Sequence, residues 1–528
     1  MPRFKTQRGR EPSAIKASAI ARRITSTWAV IALLALATAC GPETAPSRTG
    51  PVWTPRAPVQ TITGQAATSA QEVNWPVFDF DAAHSGVNPD ETAITPASVG
   101  SLHRLWTSKL PQVADSTPIL LHNLALPDGT HRDVLYLTTS AGTLVALDAA
   151  TGARLWAATT SGPHITNSSP AADPSGAFVY SYGLDGQLHK YRATTGEEIT
   201  GHGWPIPITH MTDTEKESSA LNVANGYIYV TTSGYLGDAP PYQGHIVAIN
   251  LINGAVHVFN SLCSNITHVL ARGECPDDRS GIWARAGVVV DPVTGNLFVT
   301  TGNGPYTANQ GGTDWGDSVL ELSGDGTRLL DSYTPTNFAE LEQTDTDLGS
   351  TAPALLPAIP DSRMPYLAVQ GGKDGLLRLL NRQNLSGQGG PGHVGGALQT
   401  IAAPGSCGVF TQPAIWTDPG EHGIWLFVTS TCAIGGYQIV VSRGQATVRQ
   451  VWSVQQEATS PVIAGNVLFA ATTGQIFALD PRTGHQLWSS TRPSAGGSIG
   501  GIHWESPIVV NGHLYCSDQD GYITAYGL

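Results

Sequence analysis

The chain has 528 residues and a formal net charge of −13, and only 13% of its residues are charged. It contains 59 Gly and 36 Pro, a composition typical of turn-rich all-β proteins rather than helical ones. The negative charge argues against nucleic acid as a partner, because binding to phosphates requires a basic surface.

The N-terminus has the pattern of a targeting signal. A basic segment precedes an apolar run from Trp28 to Ala39, and Cys40 follows directly. The run is shorter than the roughly 20 apolar residues of a membrane span and is typical of a secretory signal peptide. Cysteine after small residues resembles a bacterial lipobox. We therefore expect a signal peptide over residues 1–39, lipidation of Cys40, and anchoring outside the cytoplasm on the cell membrane or outer membrane. The alternative is an ordinary signal peptide cleaved near Ala39.

Residues 40–74 are rich in Pro, Thr, Ala and Gln and show no apolar periodicity. Such a segment cannot bury enough apolar surface to fold, so we predict a lipidated, disordered tether. The folded domain is predicted to span residues 75–528.

A sequence phrase recurs within this domain. The segment Ala146–Trp156 returns as Ala478–Trp488, with weaker copies between them. Short strands separated by Gly and Asp turns, repeating at roughly 50 residues, indicate a β-propeller. In each copy Thr-Gly is expected to make a tight turn, Asp to cap it, and Trp to pack between neighbouring blades.

Eight openings of inner strands follow one another along the chain, most of them Ser or Thr before Pro. They are Ser116-Thr117-Pro118, Ser169-Pro170, Ser218-Ser219-Ala220, Ile282-Trp283-Ala284, Ser350-Thr351-Ala352-Pro353, Thr411-Gln412-Pro413, Thr459-Ser460-Pro461 and Glu505-Ser506-Pro507. The sequence therefore predicts an all-β fold, an eight-bladed antiparallel β-propeller. The last blade ends without a Trp-bearing strand, and such a strand, residues 102–106, precedes the first blade. We predict that it completes the last blade and closes the ring.

Five cysteines follow Cys40. In an exported protein they are expected to pair where geometry allows. Cys263 and Cys275 flank one loop, and Cys407 and Cys432 bracket a strand-turn-strand segment, so these are the predicted disulfides. Cys516, in an apolar strand, is predicted to be a buried thiol.

Charged and aromatic residues fall where inner strands begin, facing the central channel of a propeller. They are Glu217, Arg285, Asp347, Lys373 and Glu505, with Trp283 and Trp504 beside them and His210 and His503 in flanking loops. A cation beside carboxylates and flat rings suits a flat anionic or polar ligand, such as a quinone or a sugar. The alternative is a structural polar network around a water-filled channel. The histidines show no paired-ligand spacing, so no metal site is predicted.

The repeated phrase, Ala-x-Asp-x-x-Thr-Gly-x-x-x-Trp, is similar to the docking motif of the quinoprotein alcohol-dehydrogenase-like propellers, a superfamily that the chain resembles from about Trp75 to Leu528. The central part is similar to PQQ-dependent alcohol and polyvinyl-alcohol dehydrogenases. The matching segments are Gly281-Ile282-Trp283, Asp291-Pro292, Thr301-Gly302-Asn303-Gly304-Pro305-Tyr306, Asp317, Asp345-Thr346-Asp347-Leu348-Gly349 and Gly372-Lys373-Asp374-Gly375. This resemblance implies that Asp317 takes the alcohol proton, that Lys373 contacts the quinone oxygens, and that PQQ and Ca²⁺ are the cofactors.

Three features depart from the enzymes. The chain has no Cys-Cys pair and no Cys-x-x-Cys haem motif, and Ser318 stands where Asn is usual. Another branch of the superfamily comprises non-catalytic lipoproteins, similar to the propeller of the outer-membrane β-barrel assembly machinery, which use the disc as a docking surface. We therefore expect a lipid-anchored, monomeric binding or scaffold protein that needs no cofactor and holds an envelope protein or polymer. A PQQ-dependent alcohol dehydrogenase is the alternative.

Overall fold

The computed structural model describes residues 72–235, 239–420 and 423–528. Within these residues, eight sheets of four antiparallel strands follow one another along the chain. The predicted eight-bladed antiparallel propeller is therefore confirmed. The predicted signal peptide, the lipidation site Cys40 and the tether up to residue 71 lie outside the described residues.

The strands of each blade are given from the channel outwards. Blade 1 comprises Ile119–Ala125, His131–Thr138, Thr143–Asp148 and Arg154–Thr159, and blade 2 comprises Ala171–Ala172, Phe178–Tyr182, Gln187–Arg192 and Ile206–Pro207. Blade 3 comprises Asn222–Ala224, Tyr227–Thr231, His245–Asn250 and Val256–Asn260, and blade 4 comprises Val289–Val290, Leu297–Thr300, Val319–Leu322 and Leu329–Tyr333. Blade 5 comprises Ala354–Leu355, Leu367–Gln370, Leu376–Asn381 and Gln399–Ala402, and blade 6 comprises Ala414–Asp418, Gly423–Thr429, Ile434–Ser442 and Gln445–Val454. Blade 7 comprises Val462–Ala464, Val467–Thr472, Gln475–Leu479 and Gln486–Ser489, and blade 8 comprises Ile508–Val510, His513–Ser517, Tyr522–Gly527 and His103–Lys109.

Helical structure is sparse in the described chain. It consists of the α-helix Phe338–Thr344 and the 3-10 helices Val99–Ser101, Ala308–Gln310, Leu348–Ser350, Pro404–Ser406 and Pro493–Ala495. In the part of the chain that the structure describes, no helix has the length and apolarity needed to cross a membrane.

The eighth blade contains strands from both ends of the propeller region. His103–Lys109 pairs antiparallel with Tyr522–Gly527, the pairing that the sequence predicts. A bond of 3.0 Å from Ser517 Oγ to the Ser116 carbonyl joins blade 8 to blade 1. By its pairing, His103–Lys109 covers an edge of Tyr522–Gly527 that would otherwise be open to pairing with other chains.

Indole rings on outer strands link neighbouring blades, as the repeat predicts. Trp106, Trp156, Trp452 and Trp488 donate their Nε1–H to backbone carbonyls at the next blade over 3.1, 3.0, 2.9 and 2.9 Å. Gly152 lies under the Trp106 ring with φ +71°, and a Cβ at this position would stand 2.5 Å from the ring. The Thr-Gly turn therefore requires glycine both for its backbone conformation and for the close approach of the ring.

Residues 73–91 cover one end of the channel. Val87–Asn88 adds a fifth, parallel strand to blade 7. Phe78 is buried in a cluster with Ala220, Ala286 and Ala352, which precede the inner strands of blades 3 to 5. Backbone bonds from this segment reach blades 1, 2, 4, 6 and 7 through Leu120, Ala172, Val290, Ile415 and Ile463. Ala172 and Val290 end their inner strands, whereas Ile415 and Ile463 lie within theirs. The opposite end of the channel, where the inner strands begin, is open and is lined by Trp283, Asp347 and Trp504.

Both predicted disulfides are confirmed. Cys263–Cys275 and Cys407–Cys432 each join Cα atoms that are 6.0 Å apart. In the described chain Cys516 is a buried free thiol, as predicted.

Candidate functional site at the channel mouth

The open end of the channel holds a cavity of about 320 Å³. Five of the predicted residues line it: Trp283, Asp347, Lys373, His503 and Trp504. The rest of the lining consists of Ile165, Asn167, Lys216, Ser218, Ser233, Gly234, Tyr235, Tyr242, Gly281, Asn303 and Phe410. Small-molecule sites are concave, largely apolar and have roughly 300–1,000 Å³ of space, so this cavity has the size and lining of a ligand site.

Lys373 is held in the cavity by two carboxylates. It follows the strand Leu367–Gln370 in a tight turn, and its Nζ lies 2.9 Å from Asp347 Oδ2 and 3.2 Å from Asp345 Oδ1. Burial lowers the pKa of Lys373, but the charges and hydrogen bonds of the two aspartates outweigh burial and raise its pKa above the ordinary value. Lys373 therefore stays charged at neutral pH.

Asp347 connects this cation to a ring and to the backbone. Its Oδ2 also accepts a hydrogen bond of 3.1 Å from Trp283 Nε1, and its Oδ1 accepts one of 2.9 Å from the Asn303 N–H. The Lys373 Nζ lies 5.3 Å from the centroid of a Trp283 ring. Cation, carboxylate and indole plane thus form one fixed cluster.

Asp317 lies beside this cluster but does not line the cavity. Its side chain is fully buried, its backbone has φ +47°, and its Oδ1 accepts the Leu348 N–H at 2.9 Å. Burial raises the pKa of Asp317 to about 8, against the hydrogen bond from Leu348 that lowers it, and nearby Asp347 raises it further. Most of this carboxyl is therefore protonated at neutral pH.

A second cavity of about 340 Å³ adjoins the first, and Phe410, His503 and Trp504 line both. Arg285 and Glu505 belong to this second space. The Arg285 guanidinium lies 5.7 Å from a Trp504 ring and donates to the carbonyls of Asn167 and Ser218 at 2.9 and 3.0 Å. Trp504 therefore separates the two cavities with a flat ring.

Glu505 accepts hydrogen bonds from two loops of blade 8. Its Oε2 accepts the His503 N–H and its Oε1 accepts Gln519 Nε2, both at 2.6 Å. Burial raises the pKa of Glu505 to about 7, and the charge of Asp115 raises it as well.

A hydrogen-bonded chain at the mouth was missed by the sequence reasoning. Lys216 Nζ donates to Asn167 Oδ1, Asn167 Nδ2 donates to Asp115 Oδ2, and His503 Nδ1 lies 2.8 Å from the same Asp115 oxygen. Burial raises the pKa of Asp115, but the hydrogen bond and charge of His503 and the charge of Arg285 outweigh it and hold the pKa below its ordinary value.

A sequence signal for these residues exists. Asp115, Asn167, Phe410 and Trp504 each stand three places before the proline that opens an inner strand. The backbone at that position has just reached the mouth, so the side chain points at the channel entrance. Lys216 has no such signal, because it lies on an inserted hairpin in which Glu215–Lys216 pairs with Ser233–Gly234.

Besides Asp317, two further predicted residues lie outside both cavities. Glu217 is fully buried, with Oε2 accepting the Ser168 hydroxyl at 3.0 Å, and burial raises its pKa well above the ordinary value. His210 is exposed. Over the described ranges, no three His, Cys, Asp or Glu side chains are grouped so that they could hold a metal ion.

A larger cavity of about 690 Å³ lies at the covered end, beside residues 81–91. Its buried cation is already paired, since Arg382 Nη1 lies 2.9 Å from Asp291 Oδ2. The mouth cavities, which combine flat rings with several charged groups, are therefore the better candidates for a functional site despite their smaller volume.

The family model of the outer membrane protein assembly factor BamB matches residues 67–258 and 437–527. The chain belongs to this family. No curated protein matches the chain.

Solved structures with the same fold include quinoproteins. A europium-containing methanol dehydrogenase is 14% identical, with 86% of this chain and 98% of that chain covered and a TM-score of 0.64. The quinohemoprotein alcohol dehydrogenase of Comamonas testosteroni is 16% identical, with 87% and 81% covered and a TM-score of 0.61. At these identities the likeness shows the fold that this BamB family member shares with them.

We predict that Asp317→Asn gains stability relative to the wild type as the pH rises. A carboxyl with a folded pKa of about 8 and an unfolded pKa of about 3.9 keeps its proton in the folded state while the unfolded chain has lost it. The wild-type free energy of unfolding should therefore fall relative to that of the variant, by up to about 1.4 kcal/mol per pH unit between about pH 5 and pH 8. Urea denaturation across this range measures the difference.

Asp361→Asn is the matched control, because Asp361 is an exposed turn aspartate that also has a positive φ, +63°. If both variants follow the wild type with the same pH dependence, the buried Asp317 carboxyl does not carry a shifted pKa.

Proposed function

We propose that this protein is an exported binding propeller of the cell envelope, whose channel mouth and surrounding disc face hold an envelope protein or polymer. The family to which it belongs is named for an outer membrane assembly factor, and that name supports an envelope role. The mouth presents flat rings and polar groups in two adjoining cavities, a lining suited to holding a ligand.

The observation that carries this proposal is the state of the two residues on which alcohol oxidation would depend. The positive charge of Lys373 is balanced by Asp347 and Asp345, whose oxygens lie 2.9 and 3.2 Å from its Nζ. Asp317 is fully buried, bonded to the Leu348 N–H, and outside the cavity lining. A general base must come within hydrogen-bond reach of the proton that it removes, and Asp317 does not reach the cavity in this arrangement.

The second candidate is a PQQ-dependent alcohol dehydrogenase, which is favoured by the meeting of Trp283, Lys373 and Asn303 in one cavity. The donor set fits part of that cofactor: Trp283 would supply a plane for the tricyclic ring, and Lys373 and Asn303 would supply donors for its oxygens. When bound, PQQ would supply the two-electron acceptor for an alcohol. Arg285 does not join this set, because it lies in the second cavity.

We predict no turnover when the purified protein is incubated with PQQ and Ca²⁺ and assayed by dye reduction with primary, secondary and polymeric alcohols. The physical reason is that the Asp317 carboxyl is bonded to the Leu348 N–H away from the cavity, while the charge of Lys373 is already balanced by Asp347 and Asp345. For the same reason PQQ binding should be weak or absent. Activity that disappears in Asp317→Asn, persists in the control Asp361→Asn, and is accompanied by loss of PQQ affinity in Lys373→Ala would establish the dehydrogenase instead.

We further propose that the protein is held at the membrane through a lipid on Cys40. Cys40→Ala should move the protein from the membrane fraction to the soluble fraction, because the thiol that would carry the lipid is lost. Fractionation with immunodetection measures the shift, and Cys516→Ala serves as the matched cysteine control. A Cys40→Ala protein that stays with the membrane would show that the lipobox interpretation is wrong.

A further inference from the structure

Lysine is rare in the propeller, yet two lysines share one cavity. Beyond residue 72 the sequence contains only Lys109, Lys190, Lys216 and Lys373. Lys216 and Lys373 both line the 320 Å³ cavity at the channel mouth. Lys373 is explained by its aspartate partners, whereas Lys216 has no role in the function proposed above.

The hairpin that carries Lys216 is firmly anchored. Glu215 and His245 are fully buried and form an ion pair, with 3.1 Å between Glu215 Oε1 and His245 Nε2. Glu215 Oε2 also accepts the Gln243 N–H at 2.9 Å. Because the residue next to Lys216 is fixed on both carboxylate oxygens, the Lys216 side chain is presented to the cavity from a rigid backbone.

The environment of the Lys216 amine differs from that of Lys373. Lys216 is 4% exposed, and its Nζ bonds to Asn167 Oδ1 and lies 5.7 Å from the centroid of the Tyr235 ring. Both of these neighbours line the cavity. Among the described residues, no carboxylate comes within ion-pair distance of this Nζ, in contrast to the two that hold Lys373.

Burial lowers the pKa of Lys216 from 10.5 to about 8. Of the charged groups that face it, Asp115 and Glu217 raise the pKa and Arg285 lowers it. A substantial fraction of Lys216 is therefore neutral near pH 8. A neutral amine has two hydrogens, so it can donate to Asn167 and still keep a lone pair for an electrophile.

We propose that Lys216 captures a small aldehyde in this cavity as an imine. The Nζ lone pair attacks the carbonyl carbon and a C–N bond forms. The two amine hydrogens leave with the carbonyl oxygen as water, so the step needs no oxidant or reductant. His503 lines the same cavity, and its Nδ1 lies 2.8 Å from Asp115 Oδ2, so an imidazole is available there to exchange protons with the departing water. Hydrolysis reverses the step, so the reaction is a form of reversible binding.

The rings of the cavity indicate the kind of aldehyde. Trp283, Phe410 and Trp504 pack against one another with centroids 5.9 and 6.3 Å from that of Trp283. They form an apolar wall that suits a flat or aromatic body on the aldehyde. This inference goes beyond the proposed function, since it adds a reversible covalent bond to a small molecule inside the cavity.

The test is reductive trapping of the full mature protein with benzaldehyde and cyanoborohydride near pH 8, followed by peptide mass mapping. We expect Lys216 to be labelled at least about tenfold faster than Lys109, because the neutral fraction of an amine with a pKa near 8 is far larger than that of an ordinary lysine. Lys373 should remain unlabelled, since its aspartates keep it protonated. Mapping on the wild-type protein makes the result independent of whether any variant folds.

Two variants sharpen the result. Lys216→Arg keeps the positive charge but lacks the nucleophile and should lose the fast label. Lys190→Arg should keep it, although the Lys190 amine also lies over an aromatic ring, 4.1 Å from the Phe178 centroid. Labelling of Lys216 that is no faster than that of Lys109, or equal labelling of Lys216 and Lys373, would overturn the inference. Neither outcome changes the test of dehydrogenase activity.

Discussion

The contact on which this ring depends is an indole laid over a glycine turn of the next blade. Trp106, Trp156 and Trp452 lie over Gly152, Gly196 and Gly484. These three rings, and that of Trp488, which has no such glycine in the described chain, donate their ring N–H to the neighbouring backbone. The turn beneath must bring its backbone close to the ring, and Gly152 and Gly484 do so with φ +71° and +72°. Trp106 makes this contact from the strand that completes blade 8, so the same interaction that joins consecutive blades also joins the last blade to the first.

A closed ring has a channel, and in this protein the two ends of that channel differ. Residues 73–91 cover one end with backbone hydrogen bonds to blades 1, 2, 4, 6 and 7. The open end carries buried charge, which is costly unless each group finds a partner. Lys373 forms ion pairs with two aspartates, and Arg285 donates hydrogen bonds to backbone carbonyls. Asp115 accepts a hydrogen bond from Asn167 and lies within hydrogen-bond distance of His503. Most charged groups at the mouth are thus satisfied by the chain itself, and on this ground we propose binding rather than oxidation.

The sequence predicted the parts of the fold that repeat. Thr-Gly, Asp and Trp recur because neighbouring blades pack against each other in the same way around the ring. The eight openings of inner strands predicted the number of blades and the order of the strands. The closing strand could be predicted because its Trp was present while its blade was missing. The disulfides could be predicted because each pair lies within one local loop or hairpin.

The details of the mouth could not be predicted in the same way, because each blade contributes a different residue there. Trp283, Asp347 and Trp504 precede inner strands, whereas Lys373 lies in the turn between the second and third strands of blade 5 rather than at an inner-strand start. The structure brings all four to one cavity. The separation of Arg285 from Lys373 by the Trp504 ring, and the burial of Asp317 beneath Leu348, depend on side-chain packing that no periodic pattern encodes. Lys216 lies on an inserted hairpin, so the repeat gave no indication that it faces the cavity.

The most direct test of the central claim is the quinone content of the protein isolated from the envelope of the cells that produce it. Denaturing extraction followed by mass spectrometry quantifies PQQ per polypeptide without any assumption about substrate. A binding propeller whose mouth groups are already paired predicts far less than one equivalent. One equivalent of PQQ, retained through purification, would contradict the account and identify the protein as a quinoprotein.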